Sequence, residues 1–467
     1  HIRQLFSPMG YHFSLPFFLL LVGSLLLRRS GADSLATYTS FVQCMQRNTN
    51  AGDNIGSLIV YSSNSSFSSV LQSYIRNPRF NTATTLKPLL IVTAKQVSHL
   101  QATVICAQQA APGYVLKIRS GGHDFDGLSY TSTAPFLMVD MFNIRSITID
   151  KASQTAWVQA GATLGELYYN IWKTSNLLAF PAGLCPTVAV GGHLSGGGYG
   201  TLLRKYGLSV DQVVDAEVVD ANGRLLNRKT MGEDFFWAIR GGGGASFGIV
   251  VSYKINLVPV PATVTVFRLE QFAENNAANM LFNWQRVAPF ISDDLGTTGD
   301  LVRLLGAQLP SLGLTASYCK EMTWIQSVLW WANYDPATTP PSILLQRSYK
   351  ATYQKRKSDY VTTPISVAQL NSLFEKMLAL GKTGLVFNAY GGKMSQIVPA
   401  AVPFPHREGM LFKIQYSENW IESGRAADDE NVNRVRQLYA FMTPLVSQNP
   451  RRAYLNYRDI DIGVMPP

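Results

Sequence analysis

Two reactive side chains in this sequence sit inside glycine-rich runs. His123 lies in Arg119-Ser-Gly-Gly-His-Asp124, and Cys185 heads Cys185-Pro-Thr-Val-Ala-Val-Gly-Gly-His-Leu-Ser-Gly-Gly-Gly-Tyr-Gly200. A nucleophile beside residues without side chains suits a large planar cofactor, because glycine lets backbone approach such a group closely. The pair therefore suggests a flavin held by two covalent bonds. A third run, Gly241 to Gly244, lies between Trp237-Ala-Ile-Arg240 and Ser246-Phe-Gly-Ile-Val-Val251. Its N–H groups would suit a pyrophosphate, with Ser246 able to add a hydroxyl, although a surface loop reads equally well from the run alone. A dinucleotide fingerprint is a poor match: Gly196-Gly-Gly-Tyr-Gly200 lacks the GxGxxG spacing and the flanking strand and helix.

Apolar residues make up 46% of the 467 positions and charged ones 15%, with 37 glycines and 23 prolines spread throughout. That composition belongs to a globular, loop-rich chain of two or three domains. The net charge of +10 comes from scattered residues with no long basic cluster, which argues against nucleic acid or a membrane surface as partner. Phe13 to Leu27 is apolar but shorter than the roughly 20 residues of a membrane span, so residues 1–33 read as a secretory targeting region with Met9 as candidate initiator. Asn64-Ser65-Ser66, an N-glycosylation acceptor, agrees with secretion. Cys44 and Cys106 flank a loop of about 60 residues, whose closure by a bridge would stabilise by about 4 kcal/mol in the chain-entropy model. The absence of a CxxC pair and the dispersal of the six histidines argue against a structural zinc site.

Residues 114–119, 136–141, 146–150 and 155–159 read as strands. Thr163-Leu-Gly-Glu166 is a capping box opening a helix over 164–173. Residues 213–220 and 224–226, joined by Asn222-Gly223, read as a hairpin. Val258-Pro-Val-Pro261 reads as a domain boundary, followed by a strand over 263–269. Ser366 is placed to cap a helix running to Leu380, with Leu370, Phe374, Met377 and Leu378 on one face and Gly381 as its stop. The pattern is α+β rather than strict βαβ alternation.

Several long motifs then occur together and in order: Arg119-Ser-Gly-Gly-His-Asp124, Cys185-Pro-Thr-Val188, Gly196-Gly-Gly-Tyr-Gly200, Leu203-Arg-Lys-Tyr-Gly207, Phe236-Trp-Ala-Ile-Arg-Gly-Gly-Gly-Gly244 and Tyr457-Arg-Asp-Ile-Asp461. In these the chain resembles the plant berberine-bridge-enzyme-like FAD-linked oxidases of the vanillyl-alcohol-oxidase superfamily, over nearly everything after about Ser34. The resemblance implies an α+β fold with a PCMH-type FAD-binding domain over residues 34–260. It further implies a substrate domain over 261–445, an antiparallel sheet covered by helices, and a return segment over 446–467. It implies FAD bound through His123 to the flavin 8α-methyl and through Cys185 to flavin C6, and a disulfide between Cys44 and Cys106. Further cofactor contacts implied are Arg119, Ser120, Gly121, Gly122, Asp124, Gly192, His193, Gly196, Gly197, Gly198, Tyr199, Gly248, Ile249 and Val250. Val188 matches an oxygen-gating position, where valine leaves room for oxygen above the flavin.

For the reaction, the resemblance implies that Tyr457 and Tyr199 face the flavin with Lys413 and Gln415 as a neighbouring polar pair. A cation beside a phenol lowers its pKa from about 10, so Lys413 is expected to make Tyr457 a base for a substrate hydroxyl. The expected reaction is hydride transfer from the adjacent carbon to flavin N5, with oxygen as acceptor and hydrogen peroxide as product. The implied partners are oxygen and a small alcohol, whether a monolignol, a carbohydrate or an alkaloid, acted on by a secreted, cell-wall or vacuolar monomer. Phe125 stands where many members have tyrosine. The chain is also expected to lack several substrate-domain strands between about Leu295 and Leu312, and a C-terminal segment after Gly463-Val-Met-Pro-Pro467. Those shortened regions keep open a second expectation, a non-catalytic, storage- or allergen-like flavoprotein of the same fold. A nicotinamide-dependent dehydrogenase is disfavoured for want of a Rossmann unit.

Overall fold

Strand Phe136–Asp140 is buried at every position, as its unbroken Phe-Leu-Met-Val run requires of a strand covered on both faces. In the computed structural model, which describes residues 33–270, 276–292 and 297–462, it sits inside a four-stranded sheet. Leu90–Thr93 and Val115–Arg119 flank it in parallel, and Ile59–Tyr61 pairs antiparallel at the edge. Helix Val97–Ala110 makes the crossover that parallel pairing demands. The Cys44–Cys106 disulfide ties that helix to the N-terminal helix over 33–48.

A second, antiparallel sheet runs in the order Ile147–Asp150, Thr155–Gln159, Ile249–Asn256, Val213–Val219, Leu225–Leu226. Its last pair is the expected hairpin, where Gly223 takes φ +76° and the Asp220 carboxylate accepts from the Asn222 and Arg224 N–H groups. The Thr163 capping box forms as read, opening helix Leu164–Thr174. Its Glu166 also accepts from Arg347 at 2.6 Å, so the cap doubles as a link to the C-terminal half.

The third sheet has the order Tyr353–Val361, Phe412–Trp420, Gly384–Ala389, all antiparallel. Helices Val367–Leu380 and Arg425–Phe441 cover one of its faces, packing on Phe412, Ile414 and Tyr416. Side-chain alternation therefore sends Lys413 and Gln415 to the opposite face. The helix after Ser366 starts and stops as read, and Leu370, Phe374 and Met377 face the core as expected, but Leu378 is 76% exposed and Leu373 is buried instead. Leu378 lies at the edge of the apolar arc, beyond what the sheet covers. Where shortening was expected, helix Thr298–Gln308 buries Leu301 and Leu305 in a small satellite cluster. A two-stranded sheet pairs Val264–Phe267 with Cys319–Met322.

Val258–Pro259 pairs back on Leu178–Ala179, and the largest apolar cluster spans both sides of that point, from Ala156 to Tyr454. The expected targeting region falls outside the described residues except for Asp33, as does Gly463 to Pro467.

Candidate active site

His123 and Cys185 converge on one hydroxyl. The His123 Nε2 lies 2.9 Å from Thr187 Oγ1, and the Cys185 Sγ lies 3.4 Å from the same oxygen. Burial, with the Arg76 cation second, pushes His123 down to about 3, so its ring is neutral at physiological pH and keeps a lone pair. Tyr349 meets the imidazole edge-on at 5.0 Å, and the Arg76 guanidinium lies 5.1 Å from the Tyr349 ring.

The glycines around these anchors divide into two kinds. Most admit other parts of the protein. A Cβ on Gly121 would meet Ala189 N at 2.7 Å, and one on Gly122, at φ +65°, would meet Tyr74 O at 2.0 Å. At Gly196 it would meet Asn456 Oδ1 at 2.5 Å, and at Gly248 Val219 O at 2.5 Å. Gly197 and Gly198 adopt φ +116° and +74°, and Gly198 N donates to Tyr454 Oη at 3.0 Å. Gly192 differs: nothing lies within 4 Å of its Cβ position, in the helical turn Val190–Ser195. It is where a planar group has room to approach.

Other expected cofactor residues are occupied structurally. Arg119 is buried, bound to Asp140 Oδ2 at 2.5 Å and to the Leu71 and Val70 carbonyls at 2.5 and 2.7 Å, so both terminal nitrogens are engaged by the protein while Nε has no partner. Ser120 donates to the Ala160 carbonyl. Asp124 accepts from the Asp126 and Leu128 N–H groups, each at 3.0 Å, and shapes the loop after His123. His193 is buried among Ser209 Oγ at 3.1 Å and Gly183 N at 3.3 Å, and burial pushes it down to about 4. Val188 packs against the main core, and its carbonyl accepts from Leu164 N. Val250 and Ile249 lie in the second sheet, paired with Val218 and Val219.

Between the first two sheets is a cavity of about 350 Å³ whose walls include Gly248, Ile249, Tyr114, Gln108 and Asp220. Of the expected cofactor residues it takes in Gly248 and Ile249, while His123, Cys185 and Gly192 lie outside its walls.

The second wall joins residues far apart in sequence. Tyr199 and Tyr457 share a hydroxyl–hydroxyl hydrogen bond. The Lys413 ammonium lies 3.4 Å from the centre of the Tyr199 ring, 4.5 Å from that of Tyr457 and 4.8 Å from that of Tyr454. Lys413 is fully buried with no hydrogen-bond partner, and burial pushes it well below the ordinary lysine range. Burial likewise raises Tyr199 to about 12 and carries Tyr457 well above the usual phenol value. This corrects the expectation that Lys413 acidifies Tyr457: it sits over a ring face rather than at a phenol oxygen, and Arg356 is the cation that pulls Tyr457 downward. Gln415 is half-buried two residues along the same strand face. Phe125 packs 5.1 Å from the Tyr457 ring.

Tyr454, Asn456 and Arg356 were missed from sequence. Asn456 donates to His193 O at 2.9 Å and to Tyr454 Oη at 3.0 Å, seating the tyrosine segment on the Gly196–Gly198 run. Arg356 lies over the Phe125 ring at 5.4 Å and donates to the Glu418 carbonyl at 2.7 Å. The only available signal was the aromatic spacing of Tyr454 and Tyr457 next to a motif already noted.

Residues 88–228 match the model of an FAD binding domain. Berberine bridge enzyme-like 19 of Arabidopsis thaliana is 49% identical over 99% of this chain and 86% of its own length. The chain belongs to the berberine bridge enzyme-like family. Its structure is similar to that of BBE-like #28 from Arabidopsis thaliana, with TM-score 0.85 and 41% identity over 91% of this chain and 89% of that one. It is also similar to the grass pollen allergen Phl p 4, which has glucose dehydrogenase activity, with TM-score 0.86 and 41% identity over 91% and 89%. As a member of this family the chain is an FAD-linked oxidoreductase of the α+β fold expected, built for small-molecule substrates. No helix among the described residues is long and apolar enough to cross a membrane.

Proposed function

We propose that this berberine bridge enzyme-like protein is a secreted oxidase of small alcohols that carries FAD on both His123 and Cys185. Bound FAD would accept a hydride at N5 and pass the electron pair to oxygen, giving hydrogen peroxide. The observation that carries the reading is the Tyr199–Tyr457 hydroxyl pair beneath the buried Lys413 amine. Burial holds both phenols above their usual range, Arg356 draws Tyr457 back down, and the shared hydrogen bond couples the two hydroxyls. Once the pair has lost a proton, the Tyr457 oxygen can take one from a substrate hydroxyl. Gln415, on the same sheet face, supplies amide groups to orient it. The neutral His123 ring and the Cys185 thiol, gathered at Thr187, are oriented for attachment.

Val188 supports oxygen as acceptor: an isoleucine-to-valine variant of Phl p 4 is a glucose oxidase, whereas Phl p 4 itself has glucose dehydrogenase activity. Asn64 is exposed in a turn, which suits a glycosylated protein of the cell wall, apoplast or vacuole. The test is to denature the protein, look for yellow colour that stays with the chain, and assay peroxide with coniferyl alcohol, glucose and reticuline. Peroxide with at least one of them is expected. Attached colour without reduction by any would favour the second reading, a storage- or allergen-like flavoprotein; that reading draws on the structural likeness to the Bermuda grass isoallergen BG60 at TM-score 0.85.

A further inference from the structure

Lys355-Arg-Lys-Ser-Asp359 is rich in charge, yet Lys355 and Lys357 are 0% and 2% exposed. Lys355 Nζ donates to Asp126 Oδ2 at 2.8 Å and to Asp459 Oδ1 at 2.7 Å. Lys357 Nζ bonds Asp459 Oδ2 and lies 3.0 Å from Asp461 Oδ2. Asp126 also accepts from Ile460 N at 3.0 Å, with Arg79 at 3.8 Å, and Asp461 pairs outward with Arg436 at 2.5 Å.

The cluster joins three segments that are distant in sequence: the loop after His123, a strand of the third sheet, and the loop after Tyr457. The pairs at Asp459 and Asp461 fasten the turn just downstream of Tyr457 to the third sheet. Buried ion pairs seldom add stability over an apolar equivalent, but they tolerate few alternative arrangements, since a displaced charge has no water to turn to.

We infer that Asp126, Lys355 and Asp459 form a positioning clamp that sets Tyr457 relative to the cofactor anchor His123. The clamp rests on the reading of Tyr457 as the group that takes the substrate proton. It touches no reacting atom; its effect passes through Tyr457, and a displacement of about 1 Å at a reacting group can cost about 100-fold in rate.

The test is the rate constant for anaerobic flavin reduction by coniferyl alcohol or glucose, whichever reduces the parent faster. Asp459→Asn, nearly isosteric, is expected to keep its flavin by mass and its half-saturating substrate concentration within about twofold, while reduction slows about 100-fold. Asp461→Asn, whose carboxylate lies 3.5 Å from Lys355 and is also held by the exposed Arg436, should slow it less. The deciding variant is Tyr457→Phe/Asp459→Asn: if the clamp acts through Tyr457, the double variant is no slower than Tyr457→Phe alone. Additive losses would overturn the clamp, as would an Asp459→Asn protein that reduces at the parent rate. Asp126→Asn carries the same prediction. If neither single variant folds with flavin attached, the cluster serves folding and the proposal falls. A Tyr457→Phe protein that reduces normally would instead sink the proton-acceptor reading, and no reduction of the parent by any probe would sink both.

Discussion

The two walls of the candidate site are built by opposite means. The anchor wall is local: His123, Thr187 and Cys185 come from two short loops, and backbone contacts at Gly121 and Gly122 hold the first of them. The opposite wall is assembled from residues near positions 199, 413 and 457, and buried charge is added there to the contacts with the Gly196–Gly198 run. A local wall tolerates little change of shape. A wall of buried charges tolerates change of shape better than change of charge.

The largest effect is expected at the anchors. The double variant His123→Ala/Cys185→Ala should release all colour on denaturation, while each single variant retains one bond, with Cys185→Ala showing a shifted spectrum. An unchanged Cys185→Ala spectrum would mean that another group holds the flavin. On the opposite wall, Tyr457→Phe should lower the reduction rate by about 10²–10⁴, the usual range for loss of a proton acceptor, with stability little altered.

The shape-limited character of the first wall is sharpened by two glycines. Gly122→Ala forces a side chain at φ +65° into the Tyr74 carbonyl, and should cost at least about 2 kcal/mol in chemical denaturation or prevent folding. Gly192→Ala, with open space around it, should leave the stability of the flavin-free protein unchanged yet reduce flavin incorporation by mass. Equal behaviour of the two would erase the distinction drawn between packing glycines and a cofactor-facing one.

Lys413→Met should leave the melting temperature unchanged or raise it, because a buried amine without a hydrogen-bond partner is replaced by an apolar chain, while the reduction rate falls. A further effect is in pH. His193 is pushed down to about 4 by burial, so the unfolded chain binds a proton that the folded one refuses. Its contribution is fully present above about pH 6.5 and is lost as pH falls from there toward 4, at up to about 1.4 kcal/mol per pH unit. His193→Gln should flatten that part of the stability curve.

This division also explains what could be read from sequence. The strands Val115–Arg119, Phe136–Asp140 and Thr155–Gln159 and the Thr163 cap depend on neighbours a few positions away, so periodicity and turn chemistry expose them. Lys355 and Lys357 could not be read as buried, because the carboxylates that permit it lie in the loops at Asp126 and Asp459. The geometry of Lys413 escaped for the same reason: residue type points to a cation, but only packing puts it over the Tyr199 ring. Leu378 was misjudged because a helical stripe does not reveal how wide a sheet lies beneath it.

The apolar cluster that runs from Ala156 to Tyr454 takes in Trp324, Tyr360 and Tyr390 alongside Leu167, Val218 and Tyr253. Neither half owns enough of that interior to dry it alone, so heat should melt the described chain in one cooperative transition. A fragment cut at Pro261 would present a greasy face to water and aggregate.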